Sequence, residues 1–255
     1  MLTFLTAVLV AGGFMLIASA VMFLLRADAR RAYRKVAGTA PTPLASWRPG
    51  AARVAATGVT DYGPGGPQAG PISGEDCTWY RIEVVRSPSR RSDDRTGQDR
   101  LGDVFAPSWP TLTDPSGRVV VDPRVLVKAL HGGDPVATER AGTFAGEKYG
   151  KPVPGYVPAK MVGRLRPYEE IHLTEVRLPP GREVYTVGSV RGLRAGLAVL
   201  APSRRGVTVF TTDDREQILA RRVADAAAVH WAVRAFGIAG LVLTAGSAGL
   251  LYLVA

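Results

Sequence analysis

The chain is poor in the residues on which much protein chemistry depends. Among its 255 residues there is one cysteine, three histidines and few aromatics. A single cysteine excludes an intramolecular disulfide, a CxxC redox pair and a cysteine-built zinc cage. No glycine-rich run ends in Gly-Lys-Ser/Thr, so there is no P-loop, and neither GxGxxG between a strand and a helix nor GxSxG occurs. The acids are outnumbered, giving a formal charge of +10. In a soluble protein that excess would point to nucleic acid, but much of it flanks apolar segments, where it reads as a topology signal, and no nucleic-acid partner is expected. No repeat of fixed period and no heptad pattern is present. The excess of Arg over Lys, with abundant Ala, Gly, Val and Pro, suggests a GC-rich bacterial genome.

What the chain does have is two long apolar runs. Leu2 to Leu25 carries no charge and, as a helix, is long enough to cross a hydrocarbon core. A cleaved signal peptide is the competing reading, because Ala18-Ser19-Ala20 resembles a cleavage site, but the basic n-region is missing and the apolar run continues past it. The second run is 235–255. Arg26, Arg30, Arg31, Arg34 and Lys35 follow the first run, and Arg215, Arg221, Arg222 and Arg234 precede the second. Both basic flanks face the central region, which places 26–234 in the cytoplasm of a two-pass inner-membrane protein with both short termini outside. The lone cysteine suits a reducing compartment. Small residues, among them Gly12, Gly237 and Gly240, would let the anchors pair as a hairpin or form a homo-oligomer.

The expected fold class is therefore two transmembrane α-helices flanking a β-rich, mainly antiparallel domain. The divisions are 2–25, a transmembrane helix; 26–50, a basic juxtamembrane segment and Pro-rich linker; 51–212, the β-rich domain; 213–234, a juxtamembrane helix capped by Asp213; and 235–255, the second transmembrane helix. Strands are expected at 53–60, 78–85, 103–109, 184–188, 197–200 and 207–211. In the second of these, Tyr80, Ile82 and Val84 face the core, with Trp79, Arg81 and Glu83 on the other face. Asp114-Pro115-Ser116-Gly117 supplies a hairpin turn. The stretch 86–103 reads as a solvated hairpin tip. Residues 136–162 read as irregular with one short helix, and a phase change between Tyr168 and Leu178 implies a bulge.

An enzyme needs a converging constellation. Cys77 with His131 or His172 as base is the one nucleophilic arrangement on offer; a lone cysteine at a strand start more often packs as a small apolar residue. Glu169, Glu170, Glu175, Asp114 and Asp122 lack a partner motif and read as solvated or turn residues. No catalytic, cofactor-binding or metal-ligating residue is assigned, and no cofactor is expected.

Pro71-Ile72-Ser73-Gly74, two residues, Cys77, one residue, then Trp79-Tyr80 and an alternating strand together resemble the signature of the GIDE family, in which a BAM ("beside a membrane") domain lies between two transmembrane helices. Three further features agree in order: the hairpin with Asp114 and Gly117, the turn at Pro180-Gly181 leading to a strand that ends at Gly188, and the region from Val207 onward. The resemblance implies a ligand- or partner-sensing domain beside a lipid bilayer. In eukaryotic members it implies a mitochondrial ubiquitin ligase whose activity resides in a RING domain. One cysteine cannot supply the RING zinc ligands, so the expectation is a prokaryotic-type member without the RING: a non-catalytic scaffold or sensor with an unidentified protein or small-ligand partner. The alternative is a membrane-surface enzyme, including a ligase-type transferase.

Overall fold

The computed structural model describes residues 2–90, 97–131, 139–192, 198–203 and 207–254. In chain order the elements are α1 (Leu2–Ala37), β1 (Val54–Asp61), β2 (Gln68–Ala69), β3 (Asp76–Cys77), β4 (Trp79–Ser87), β5 (Asp99–Phe105), β6 (Thr111–Asp114), β7 (Gly117–Val121), α2 (Pro123–His131), β8 (Glu139–Ala145), α3 (Ala159–Val162), β9 (Glu170–Leu178), β10 (Glu183–Gly192), β11 (Ala198–Ala201), β12 (Val209–Thr211) and α4 (Arg215–Val254). They form two compact units, one of residues 1–39 with 214–255 and one of residues 40–213.

The first unit is the pair α1 and α4. Neither contains proline, so nothing interrupts the backbone ladder, and at 36 and 40 residues they are ~54 and ~60 Å long. Each includes a stretch long and apolar enough to cross a membrane by length and composition, within Thr6–Ala37 and His230–Leu250. Small residues set their approach: a Cβ on Gly12 would come within 2.5 Å of Thr244 Oγ1. The Ser19 hydroxyl donates to Val233 O at 3.0 Å. Their other faces stay apolar and exposed at Phe14, Ile17, Leu24, Ile238 and Val242. The basic segment expected as linker continues α1 to Ala37, where Arg34 and Lys35 in the last turn suit the negative helix end. Arg215 Nη2 donates to Ala37 O at 2.7 Å. The juxtamembrane helix and the second apolar run are one helix. Its start is capped by Asp214 rather than Asp213, since Asp214 Oδ1 accepts the Gln217 N–H at 2.7 Å.

The second unit holds two sheets. Strands β1, β6, β7, β11 and β10 follow one another and close, because β1 also pairs with β10, from Val54 opposite Gly188 to Val59 opposite Glu183. Every pairing in this barrel is antiparallel except β7 with β11. Numbered among themselves, its strands run 1-2-3-5-4-1 with a helix after the third, the Greek-key arrangement of OB-type barrels. A barrel of this order by itself assigns no function. Strand β12 lies beside β10. The core includes Leu112, Val121, Leu126, Val184, Leu200 and Phe210. Gly188 permits one close approach, because a Cβ there would meet Leu200 Cδ1 at 2.7 Å and Ala201 O at 2.9 Å.

The second sheet is antiparallel, ordered β5-β4-β9-β8. Its strands are inserted between barrel strands, β4 and β5 after β1, β8 and β9 after α2. Ile82, Val84, Ile171 and Leu173 form its core. Strands β4 and β9 pair without interruption from Trp79 opposite Leu178 to Ser87 opposite Glu170, so the expected bulge in β9 is absent. The phase change has another cause. Ile171 and Leu173 enter this second core, whereas Leu178 enters the barrel core with Trp79. The register shift lies instead between β4 and β5, at Val84/Val85. Trp79, expected on the outer face, is fully buried for the same reason.

Two further expectations are corrected. Residues 139–145, expected to be irregular, form β8; Gly142 and the alanines carry little β propensity, and the strand is held by its pairing with β9. The stretch 86–103 is not wholly a solvated tip. Arg86 and Asp99 are buried, while 91–96 lie outside the described residues.

Candidate functional site

The motif that marks the sequence folds as a loop wrapped on a buried carboxylate. Strands β2 and β3 pair, Gln68 opposite Cys77, and the Gly70 N–H donates to Glu75 O at 2.8 Å. Inside this hairpin Glu175 of β9 is 0% exposed. Its Oε2 accepts the Ile72 N–H at 2.7 Å and its Oε1 accepts the Ser73 hydroxyl at 2.6 Å. Arg177 Nε lies 3.4 Å from Oε1. A Cβ on Gly70 would come within 2.4 Å of that oxygen, so only glycine fits the start of the loop. Gly74 turns the chain at φ +73. Pro71 thus leads into a turn whose next two residues bind Glu175, and Cys77, Trp79 and Tyr80 follow it into the strands.

The other motif residues also build turns and packing. Asp114 Oδ2 accepts the Leu44 N–H at 2.9 Å, and its Oδ1 accepts from Ser116 N at 2.8 Å, Ser116 Oγ at 2.6 Å and Gly117 N at 2.9 Å. Burial opposes its charge, but these donors prevail and hold its carboxyl below the usual range. After Pro180, Gly181 adopts φ +74 and donates its N–H to Thr60 O at 2.8 Å.

Cys77 and His172 do not converge. The thiol is fully buried and is pushed up to about 11, first by burial and then by the charge of Glu175. Trp79, two residues on, stands opposite Leu178, whereas His172 stands opposite Val85. Six residues of strand separate those positions, about 20 Å. The His172 ring stacks on Phe144, with centroids 4.4 Å apart. His131 closes α2. Among the described residues no three His, Cys, Asp or Glu side chains gather as a metal site.

The second polar cluster joins the end of β4 to the turn before β9. Asp99 Oδ2 accepts from Arg86 Nη2 at 2.6 Å and from the Arg90 N–H at 2.8 Å, and Ser89 donates to its other oxygen. Glu169 is 1% exposed. Arg90 binds it with both Nε, at 2.6 Å, and Nη2, the Arg166 N–H donates to it at 2.9 Å, and Arg90 Nη2 also reaches Arg164 O at 2.7 Å. Above this network lies an open cleft of about 500 Å³ lined by Arg90, Glu147, Arg164, Leu165, Arg166 and Pro167. A separate cleft of about 520 Å³ is bordered by Pro64, Pro67, Pro107 and Trp109 near the barrel.

Glu169 and Glu175, expected as solvated or turn residues, are both buried, and Glu169 does close a turn through its N–H to Arg166 O. The signal was available for Glu175: it lies at the same parity as Ile171 and Leu173, so on a strand it points into the core with them. Burial there demands partners. Nothing local marks Glu169, whose arginine is 79 residues away in sequence.

Both carboxylates of this network titrate low. Glu169 is held at about 2, chiefly by Arg90, and Asp99 is lowered first by the Ser89 hydroxyl, then by the Arg90 N–H and Arg86. A depressed folded-state value means that the stabilisation is complete above the ordinary carboxylate range, ~4, and is lost as pH falls through the folded value. Thermal unfolding of the full chain in detergent, followed by tryptophan fluorescence, is therefore expected to lose midpoint steadily between about pH 4.5 and about 2. In Arg90→Gln the folded value of Glu169 moves back toward the unfolded one, so its share of the acid loss should shrink, and an unchanged acid profile in that variant would remove Arg90 as the cause.

Comparison of the chain with family models, with curated proteins and with solved structures gives no match.

Proposed function

We propose that this protein is a non-catalytic binding module, tethered to a membrane by α1 and α4, whose β domain engages a ligand or partner beside the bilayer. The observation that carries the reading is the combination of a cleft-bearing domain with two bracketing helices whose exposed faces are apolar. In water such faces would associate or aggregate; in lipid they are at home. A nucleophilic role is disfavoured because the Cys77 thiol is buried and protonated at neutral pH, and because His172 stands far along the sheet from it. The resemblance to the GIDE family supports the same reading. Its motif residues here shape loops and packing, as a domain signature would. The family's ligase activity does not come with it, because one cysteine cannot furnish RING zinc ligands. The arginines at the inner ends of both apolar runs favour a cytoplasmic domain.

The test is complementation of a deletion strain. The triple variant Cys77→Ala, His131→Ala, His172→Ala is expected to restore the wild-type phenotype, while a chain lacking residues 40–213 does not; failure of the triple variant, with normal membrane abundance, would favour the enzymatic alternative. An epitope tag inserted at the exposed Gly150 should react only after the cells are permeabilised. Labelling of intact cells would reverse the proposed topology.

A further inference from the structure

The arginine cleft continues into a second one. A groove of about 270 Å³, bordered by Gly150, Lys151, Pro152 and Val153, shares Glu147 and Leu165 with the first as a common wall. The groove they form together is bordered by the cationic side chains of Arg90, Arg164, Arg166 and Lys151 and by apolar ones at Leu165, Pro167 and Val153. Its charges can be counted residue by residue. Arg90 is committed to Glu169 through a two-pronged pair, so these two cancel. Lys148 pairs with Glu170 at 3.3 Å. Among the described lining residues Arg164, Arg166 and Lys151 remain against Glu147, a net positive balance. Arg166 Nη1 donates to the Tyr168 hydroxyl at 2.9 Å, and its Nε is 3.9 Å from Glu169. The Arg164 side chain is exposed.

What raises this above a basic surface is the way the two arginines are presented. Glu169 and Arg90 together grip the turn that carries them, through the Arg166 N–H and the Arg164 carbonyl. The Arg90 grip comes from a distant segment of the fold, and the Glu169 grip closes the turn locally, three residues beyond Arg166. The turn is thereby fixed before any ligand arrives, and the ordering cost of binding is reduced. Guanidinium forks match the geometry of phosphate oxygens and hold them with charge-assisted bonds. Leu165, Pro167, Pro152 and Val153 offer the apolar surface that the organic part of an ester would cover.

We propose that this groove binds the phosphate group of a phosphate ester, with Arg164 and Arg166 as its ligands and the apolar wall along the rest of the molecule. The phosphate is carried either by a soluble metabolite or by a lipid headgroup of the bilayer. The proposal rests on the binding-module reading and names its ligand class.

The experiment uses the full chain in nanodiscs, with inorganic phosphate as the titrant and calorimetry as the readout. In phosphatidylcholine discs the wild type should bind, Arg164→Gln and Arg166→Gln should each bind about tenfold more weakly, and Arg118→Gln, an exposed arginine of β7, should be unchanged. Adding phosphatidic acid to the discs separates the two sources: competition with phosphate identifies the headgroup as occupant, and unchanged affinity identifies a soluble phosphate. No binding by the wild type, or equal binding by the Arg164 and Arg166 variants and the Arg118 control, overturns the proposal. Either result would leave the tethered-module reading intact, because that reading is decided by complementation.

Discussion

Glu175→Ala is expected to destabilise the β domain by about 3–5 kcal/mol, because it strips one partner from a buried ion pair. The carboxylate is wholly inaccessible, lies 3.4 Å from Arg177 and accepts the Ile72 N–H and the Ser73 hydroxyl. Without it, Arg177 is left buried without the carboxylate that faces it, and two donors of the 70–75 loop lose their acceptor. Glu175→Gln should cost less, since an amide oxygen can still accept from the loop although the charge is gone. Urea unfolding of the full chain in detergent measures both. If the alanine variant unfolded within about 1 kcal/mol of wild type, as an ordinary surface substitution would, the buried clamp would be refuted. The same variant should open the loop between β2 and β3 and make Cys77 accessible to thiol reagents, which ties the loss of stability to this loop.

Trp79→Ala should be comparably severe, at about 3–5 kcal/mol, since it empties the largest wholly buried side chain in the chain's described core. The ring sits where β4 leaves the second sheet and joins the barrel core, stacked at 6.4 Å from Phe105. Its Nε1 has no hydrogen-bond partner among the described residues. That gives the prediction a second arm. Trp79→Phe removes an unsatisfied donor along with part of the ring, so its cost should fall well below that of alanine. Equal losses for Phe and Ala would mean that the indole nitrogen has a partner and that cavity formation is not the controlling term.

These two residues illustrate which parts of the molecule local sequence can and cannot reveal. Alternation from Thr78 to Val85 gave the strand and its core face correctly for Ile82 and Val84. The same alternation misplaced Trp79, because one strand serves two cores on opposite faces and its pattern changes meaning partway along. The phase change in β9 has the matching cause: its neighbours change along its length while its pairing to β4 stays unbroken. Strand β8 is hidden from local pattern because Glu139, Gly142 and the two alanines dilute the strand preference of Thr143 and Phe144, and pairing with the β9 edge recruits the whole segment.

The candidate site follows the same division. The Pro71–Gly74 turn, the Asp114–Gly117 hairpin and the turn at Gly181 were legible, since proline, glycine and aspartate act on their own neighbours in sequence. The groove was not. Arg90 meets Glu169 across 79 residues, and Ser73 meets Glu175 across 102. No periodicity reports such pairs.

By itself, then, the sequence determined the long apolar helices, their basic flanks, the β-rich character of the middle and its principal turns. All of these follow from hydrophobicity, charge and backbone freedom over a few neighbouring residues. Only the tertiary structure decided that the strands close into a barrel, that a second sheet is inserted within it, and that Glu175 and Glu169 are buried clamps. Barrel closure depends on β1 meeting β10, and each clamp on an acid meeting donors from a distant segment. Such encounters exist only once the chain has folded, because burial, and with it the demand for a partner, is a property of the assembled core.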